Sequence, residues 1–343
     1  MRSSIIYSTA LLASVASAAP AGKRDFSPDN VYFPLEKGFP NPNQDQTLQI
    51  QLQAHGTLPN GPPPPSLSPE GIKNLQLIAL NELFEVAYFT ELVHNVTNKY
   101  QGYDLGRGHE YVLDALTAIV AQEELHLLNA NGALKKFNTA PIEPCKYSFP
   151  VTDFQSAIAL AGTFTDLVLG TLQDVNQIFA ASGDAALVRG VSSVLGNEAS
   201  QEGFFRLVQK KRPTSQAFPN DRDKGLCVHG YPVLYCPRLV SEISRRFPLK
   251  TFEGPLRMMR GLVLKARDLK VVFINSQNKP IVKGLDKWDV REEKVVFEAA
   301  FPYDEFLMNG LTIAAVTVGK DEFASADEVA EAAVFGPGLI EID

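Results

Sequence analysis

The sequence predicts a multidomain α+β protein in which a bundle of four long helices is followed by a small, β-rich, sandwich-like C-terminal domain. Three observations carry this reading. Between residues 68 and 213, apolar residues recur at helical spacing in four long stretches. Short connections join the first stretch to the second and the third to the fourth, with a longer link between the pairs, as a four-helix bundle requires. Beyond Pro213 the pattern changes to short β-branched runs bounded by turn residues. At 343 residues, two domains are the default expectation.

The chain opens with Arg2, an apolar run from Ile5 to Val15 and the small-residue site Ala16-Ser17-Ala18. This is the layout of a secretory signal peptide, residues 1–18. No stretch is long enough to span a bilayer as a helix. Lys23-Arg24 resembles the dibasic site at which kexin-like proteases trim secreted proteins, so residues 19–24 read as a propeptide and the mature chain as starting at Asp25. Residues 25–67 are polar and proline-rich, including Pro62 to Pro65, and read as a flexible, extended arm.

The folded body is expected over residues 68–213. Ser68 can cap a helix with Pro69 at its first position, and helical spacing runs from Ile72 to Val96. A loop with Gly102, Gly106 and Gly108 leads to a second helix, His109 to Phe137. Thr152-Asp153-Phe154-Gln155 reads as a capping box in which Thr152 and Gln155 satisfy each other's backbone donors, opening a third helix that runs to about Ala181. Ser182-Gly183-Asp184 makes a turn into a fourth, Ala185 to Arg212, stopped by Pro213. Residues 214–248 read as a loop-rich connector and 249–343 as the β-domain, with strands over 269–274, 294–301 and 311–318 and further strand in 333–335 and 339–342.

Charge and cysteine usage narrow the function. A net charge of −7 and a pI near 5.4 argue against nucleic acid as a partner. Export places three cysteines in an oxidising compartment. Cys227 and Cys236 flank a short loop and are the favoured disulfide; the alternative joins Cys145 to one of them. Asn95-Val96-Thr97 is a glycosylation sequon, usable if that helix end is exposed.

Chemistry concentrates in Ala121-Gln122-Glu123-Glu124-Leu125-His126. Glu123 and His126 share an apolar helical face, and a buried carboxylate beside an imidazole calls for a partner such as a metal ion. A full di-iron carboxylate site takes one Glu from each of two helices and a Glu-x-x-His from each of the other two. On the first helix Glu82 and Glu85 share a face, with Glu85 the better candidate. On the fourth, Glu198 lies on the inward stripe, but Gln201 stands where the second His belongs. On the third, the inward position is Thr165, with Asp166 turned about 100 degrees away. Thr165 and Gln201 are therefore degenerate ligand positions. No Gly-x-Ser-x-Gly elbow or Cys-His pairing suggests a hydrolase.

Glu82 to Phe89, Gln122 to His126 and Glu198 to Gln201 resemble the ferritin-like domain of plant desiccation-related and fungal stress-response proteins. Over the whole mature chain the sequence is similar to the late sexual development proteins of filamentous fungi, most closely in Met308 to Thr317, Phe323 to Val329 and Phe335 to Glu341. The resemblance implies a ferritin-like fold and a secreted protein associated with development or stress, without implying an established enzyme activity; the Asn95 sequon makes it a candidate glycoprotein, and an extracellular or cell-wall location and partner are expected. Carried onto this sequence, the metal positions are Glu85, Glu123, His126 and Glu198. Two functional readings follow. In the first the di-iron site has decayed, no cofactor is held and the domain is non-catalytic. In the second, those four residues hold one Fe, Mn or Zn ion, structural or weakly oxidative.

Overall fold

A computed structural model describes residues 33–61, 64–220, 234–235, 269–291 and 294–342. The expected signal peptide and dibasic site lie outside the described residues, as do Cys227, Cys236 and nearly all of the 221–268 stretch. The described chain divides into two compact units between Thr214 and Ser215, with residues 234–235 belonging to the first. No helix among the described residues is long and apolar enough to cross a membrane.

The first unit is built on four long helices, preceded by a short one, α1 (Gln44–Gln53). α2 (Pro69–Thr97) starts as its sequence predicts: Ser68 is extended, its hydroxyl oxygen accepts from the Gly71 N–H at 2.9 Å, and Pro69 occupies the first turn. Ser68 is also held from outside. Its N–H donates to Asp184 Oδ1 at 3.0 Å and its hydroxyl to Oδ2, which ties the start of α2 to the turn between the last two long helices. Gly71 is needed there because a Cβ would collide with the Asp184 carboxylate. Asp184 is buried, so Asp184→Ala is expected to cost about 2–3 kcal/mol by stranding the Ser68 donors, against about 1–2 kcal/mol for Ser68→Ala. Urea unfolding of the two variants gives the comparison.

α3 (His109–Lys136) follows Gly108, whose φ of 91° supplies the left-handed residue at the helix start. Lys135 and Lys136 lie in its last turn, where cations complement the helix dipole. α4 (Phe154–Ala181) has its capping box one residue later than the sequence suggests. Asp153, not Thr152, is the N-cap: its extended backbone lets its carboxylate accept from Ser156 N–H at 2.9 Å, while the Thr152 hydroxyl donates to Asp153 at 3.0 Å. α5 (Ala185–Val208) ends short of the expected Arg212, as Arg206 Nε turns back to donate to the Arg212 carbonyl at 2.7 Å.

α2 packs along α3, α4 along α5, and α2 also meets α4. Phe84, Tyr88 and Phe89 of α2 mesh edge-on with Phe164 of α4, with centroids 4.9–5.6 Å apart, and Phe89 stacks on Phe205 of α5. Such pairs add roughly 0.5–1.5 kcal/mol each beyond burial. They join three of the long helices across the core.

The stretch read as an extended arm needs correction at α1. Asn43 and Gln46 form a capping box, and the buried Ile50 and Ala54 pack on Ala121 and Leu125 of α3. The polar composition hides this helix because one fully buried side chain, Ile50, carries its seat. Between α3 and α4, β1 (Lys146–Tyr147) pairs antiparallel with β2 (Leu234–Tyr235).

The second unit contains an antiparallel four-stranded sheet in the order β4-β3-β7-β8, formed by β3 (Leu269–Asn275), β4 (Ile281–Gly284), β7 (Gly310–Val318) and β8 (Phe335–Ile342). A separate hairpin pairs β5 (Lys287–Arg291) with β6 (Lys294–Glu298). β3 and β7 are buried along nearly their whole length, so both faces are covered. Val271, Phe273, Ile281, Met308 and Val316 form a core cluster on the sheet. Two short helices, α6 (Tyr303–Phe306) and α7 (Ala326–Ala332), interrupt what the sequence reads as strands and turns.

Candidate metal centre

Glu123 and His126 lie three residues apart on α3 and project to the same side. Glu123 is fully buried, and the His126 side chain is 14% exposed. His126 Nδ1 faces three carboxylates at once. It lies 2.8 Å from Glu123 Oε2 in a hydrogen bond, 3.4 Å from Glu82 Oε2 and 3.5 Å from Glu198 Oε1. The last two are charge contacts only: Glu82 Oε2 and both Glu198 oxygens are buried without a hydrogen-bond partner. One ligand atom from each of Glu82, Glu123, His126 and Glu198 lies within 4.8 Å of the others.

Glu123, His126 and Glu198 thus converge, and Glu82 rather than Glu85 provides the α2 carboxylate of this group. Glu85 sits one turn along α2, fully buried, with one oxygen accepting from Asn81 Nδ2 at 3.1 Å and the other unpartnered. Gln201, at the position of the second His, points into the site: its amide nitrogen donates to Glu123 Oε1 and lies 3.2 Å from both Gln122 Oε1 and Asn197 Oδ1. Thr165 is fully buried with its hydroxyl unpartnered, and no α4 carboxylate joins the group; Asp166 is buried elsewhere.

Two contributors escape sequence reading. Gln122 reaches the Ala54 carbonyl with its amide nitrogen at 3.4 Å and accepts at its oxygen from Gln201 and from Asn197 at 3.3 Å, so it links α1 to the polar group on α5. Lys37 pairs with the buried Glu124 at 3.3 Å. A polar neighbour of a ligand helix carries no sequence signal unless the segment packed over it is already known.

Burial pushes the Glu82 carboxyl well above the usual carboxylate range, although His126 opposes this. It does the same to Glu85, helped by the charges of Glu198 and Glu123. Burial, then the Glu123 charge, pushes Glu198 up to about 8. Burial also works against ionising Glu123, but the His126 charge and hydrogen bond outweigh it and leave this carboxyl below the usual range. For His126 burial favours the neutral ring, and the Glu123 and Glu82 charges outweigh it and raise the imidazole well above its ordinary value. The metal-free state is therefore a His126–Glu123 ion pair flanked by proton-holding carboxyls. Four oxygen and nitrogen donors that crowd one point and lack enough protons or donors among themselves are a chemically reasonable seat for one cation.

Two other expectations are corrected. Asn95 is buried, 3% exposed, inside α2, so the folded chain leaves no room for a glycan there. Cys145 is in a disulfide, which with three cysteines in the chain excludes a Cys227–Cys236 bond and leaves the alternative pairing. The β1–β2 ladder places Lys146 opposite Tyr235 and Tyr147 opposite Leu234. In sequence, Cys145 directly precedes Lys146 and Cys236 directly follows Tyr235, the two residues that pair. Non-reducing peptide mapping is expected to find Cys145 joined to Cys236 and Cys227 as the free thiol; a Cys145–Cys227 peptide would contradict it.

Residues 72–211 match the family model of the ferritin-like domain. The match runs from the first turn of α2 through α5 and contains all four residues of the cluster. No curated protein matches the chain.

Proposed function

We propose that residues 68–213 form a ferritin-like four-helix bundle that holds one Fe, Mn or Zn ion between Glu82, Glu123, His126 and Glu198, in an exported protein of development or stress. The observation that carries the ion site is the convergence of these four donors, with Glu82 Oε2 and both Glu198 oxygens buried and unpartnered. Three carboxylate oxygens and one imidazole nitrogen suit a borderline or hard divalent ion. Such an ion, when bound, supplies a fixed positive charge and, for iron or manganese, one-electron redox chemistry. The chain's own residues hold the carboxylates in place: Gln201 donates to Glu123, and Gln122 braces Gln201 against α1. A second ion lacks a second His, because Gln201 occupies that position, and a carboxylate from α4, where Thr165 stands. A one-ion module is thus favoured over a di-iron oxidase.

Export is supported by the leader-like N-terminus and by the Cys145 disulfide, a bond that persists in oxidising compartments. The developmental or stress role, with an extracellular or cell-wall partner, rests on the family resemblance of the C-terminal stretches.

Metal analysis and thermal melts of the purified protein test the ion site. The expected result is one ion per chain and a melting temperature that falls on chelation and recovers on adding back Mn or Zn. At an ion concentration 100 times Kd the stabilisation is about 2.7 kcal/mol. Glu123→Gln and His126→Leu should abolish the chelator response. Variants that melt unchanged or higher, in a protein that takes up no ion, would show the cluster to be a proton-held polar core.

A further inference from the structure

Apart from the four-residue cluster, the α2 helix lines a second recess. Tyr88, Glu91 and Asn95 fall on one face of the helix, at spacings of three and four, and Tyr103, Phe149 and Val151 close the space. The recess is small, about 10 Å³, with room for about one water-sized body.

Glu91 and Asn95 bring acceptors to it, and Tyr88, Tyr103 and Phe149 bring aromatic rings. Asn95 is 3% exposed, and its Oδ1 has no hydrogen-bond partner. The Tyr88 hydroxyl hydrogen is already committed to the Ala157 carbonyl at 2.6 Å, so this oxygen can only accept from a newcomer. Tyr88 and Phe149 meet edge-to-face with centroids 4.9 Å apart. No cation among the described residues pairs with Glu91, and burial alone pushes its carboxyl up to about 7. A buried acceptor, a half-buried carboxylate and aromatic walls together lack one thing, a compact donor carrying positive charge.

We infer that this recess is a subsite for a primary ammonium group, such as the head of an alkylamine, which donates to Glu91 and to Asn95 Oδ1 and rests against the Tyr88 and Phe149 rings. An ammonium head is close to water in size and matches the available room, whereas a quaternary ammonium is too large and has no hydrogen to give Asn95. The subsite does not depend on the ion cluster. Recognition requires an ionised Glu91. The other titratable groups lining the recess are Tyr88 and Tyr103, and burial holds the Tyr88 phenol in its protonated form. Phe149, Val151 and Ala157, from the segment before α4 and from α4 itself, carry no charge.

The test titrates the full mature chain, with chelator present, with methylammonium chloride, using tetramethylammonium chloride and sodium chloride at equal ionic strength as controls. Melting temperature and amide NMR shifts are the readouts. Methylammonium should give a saturable response that neither control gives, with Kd about tenfold weaker at pH 6 than at pH 8, as expected for a carboxylate that titrates near 7. Glu91→Gln, which keeps the side-chain shape, should weaken binding at least tenfold at pH 8 and flatten the pH dependence. A response shared by sodium or tetramethylammonium, an undiminished response in Glu91→Gln, or no saturable response at all would each overturn the assignment, the last leaving the recess as a water site. Should Glu91→Gln fold poorly, the size series and pH dependence of the unmodified protein still decide.

Discussion

Stripped of metal by a chelator, the protein should be most stable at about pH 5 and should lose stability as the pH rises toward 8. Glu82, Glu85 and Glu198 have raised carboxyls. The folded state therefore keeps protons that the unfolded chain releases above about pH 4.5, and stability falls as pH rises through that window. His126 adds to the same trend: its folded-state value is raised, so its contribution is complete below about pH 6.5 and declines as the pH climbs through the raised value. Glu123 acts oppositely, since its depressed carboxyl contributes stability above about pH 4.5 that is lost on acidification. Each proton retained by the folded state steepens the decline by about 1.4 kcal/mol per pH unit. A bound ion reverses the trend, because it takes the carboxylates as anions and its affinity grows as their protons are released. Melts at pH 5, 6.5 and 8, with chelator and with Mn or Zn, should therefore diverge as pH rises. Parallel curves would remove both the proton-held apo state and the ion from consideration.

Restoring the two missing ligands should change the chemistry as well as the stability. Two contacts fix the level of α4 against α5. Asn176 Nδ2 donates to Ser192 at 3.2 Å, and a Cβ on Gly162 would lie 3.2 Å from Glu202 Oε2. Interpolating between them along the antiparallel pair sets Thr165 at the level of about residue 200, next to Gln201, the residue whose amide already touches Glu123. Thr165→Glu together with Gln201→His then supplies the α4 carboxylate and completes a second Glu-x-x-His with Glu198. The double variant is expected to bind two iron ions per chain and to develop the near-ultraviolet absorption of an oxo-bridged ferric pair, while the parent binds one. Added volume and charge in a packed interior should cost the metal-free variant about 1–3 kcal/mol. Iron titration followed by absorbance is the measurement. A folded variant that still takes one ion or none would mean that Thr165 and Gln201 do not face a common site.

The long helices were legible because each couples strong periodicity with a start or stop signal, as Ser68-Pro69 and Pro213 do. The choice of Glu82 over Glu85 was not, for a definite reason. Both lie on one face of α2, so periodicity admits either; which one meets His126 depends on how far α2 slides along α3, a tertiary quantity. The cap at Asp153 rather than Thr152 is a one-residue choice made by backbone angles. The pairing of β1 with β2 joins two-residue strands nearly ninety positions apart, too short for any pattern to reveal. In the C-terminal unit the β-branched runs at 269–275 and 310–318 announced β3 and β7, while β4, β5 and the two short helices lack a comparably strong apolar period.

The seat of α1 has a consequence in time. Its ten residues are too few for a helix to persist alone in water, so α1 is helical only while it is docked. The bonds that dock it, from Lys37 to Glu124 and from Gln122 to the Ala54 carbonyl, join positions 87 and 68 residues apart. Their closure entropy is repaid only once α2 and α3 already lie together. The segment is thus the late arrival in folding and the early departure in local opening, and its backbone amides exchange with solvent ahead of those of the helix beneath it. Each departure also frees Gln122, and with it one restraint on Gln201 and Glu123. The opening frequency of a peripheral ten-residue helix thereby enters the lifetime of order at the buried carboxylates.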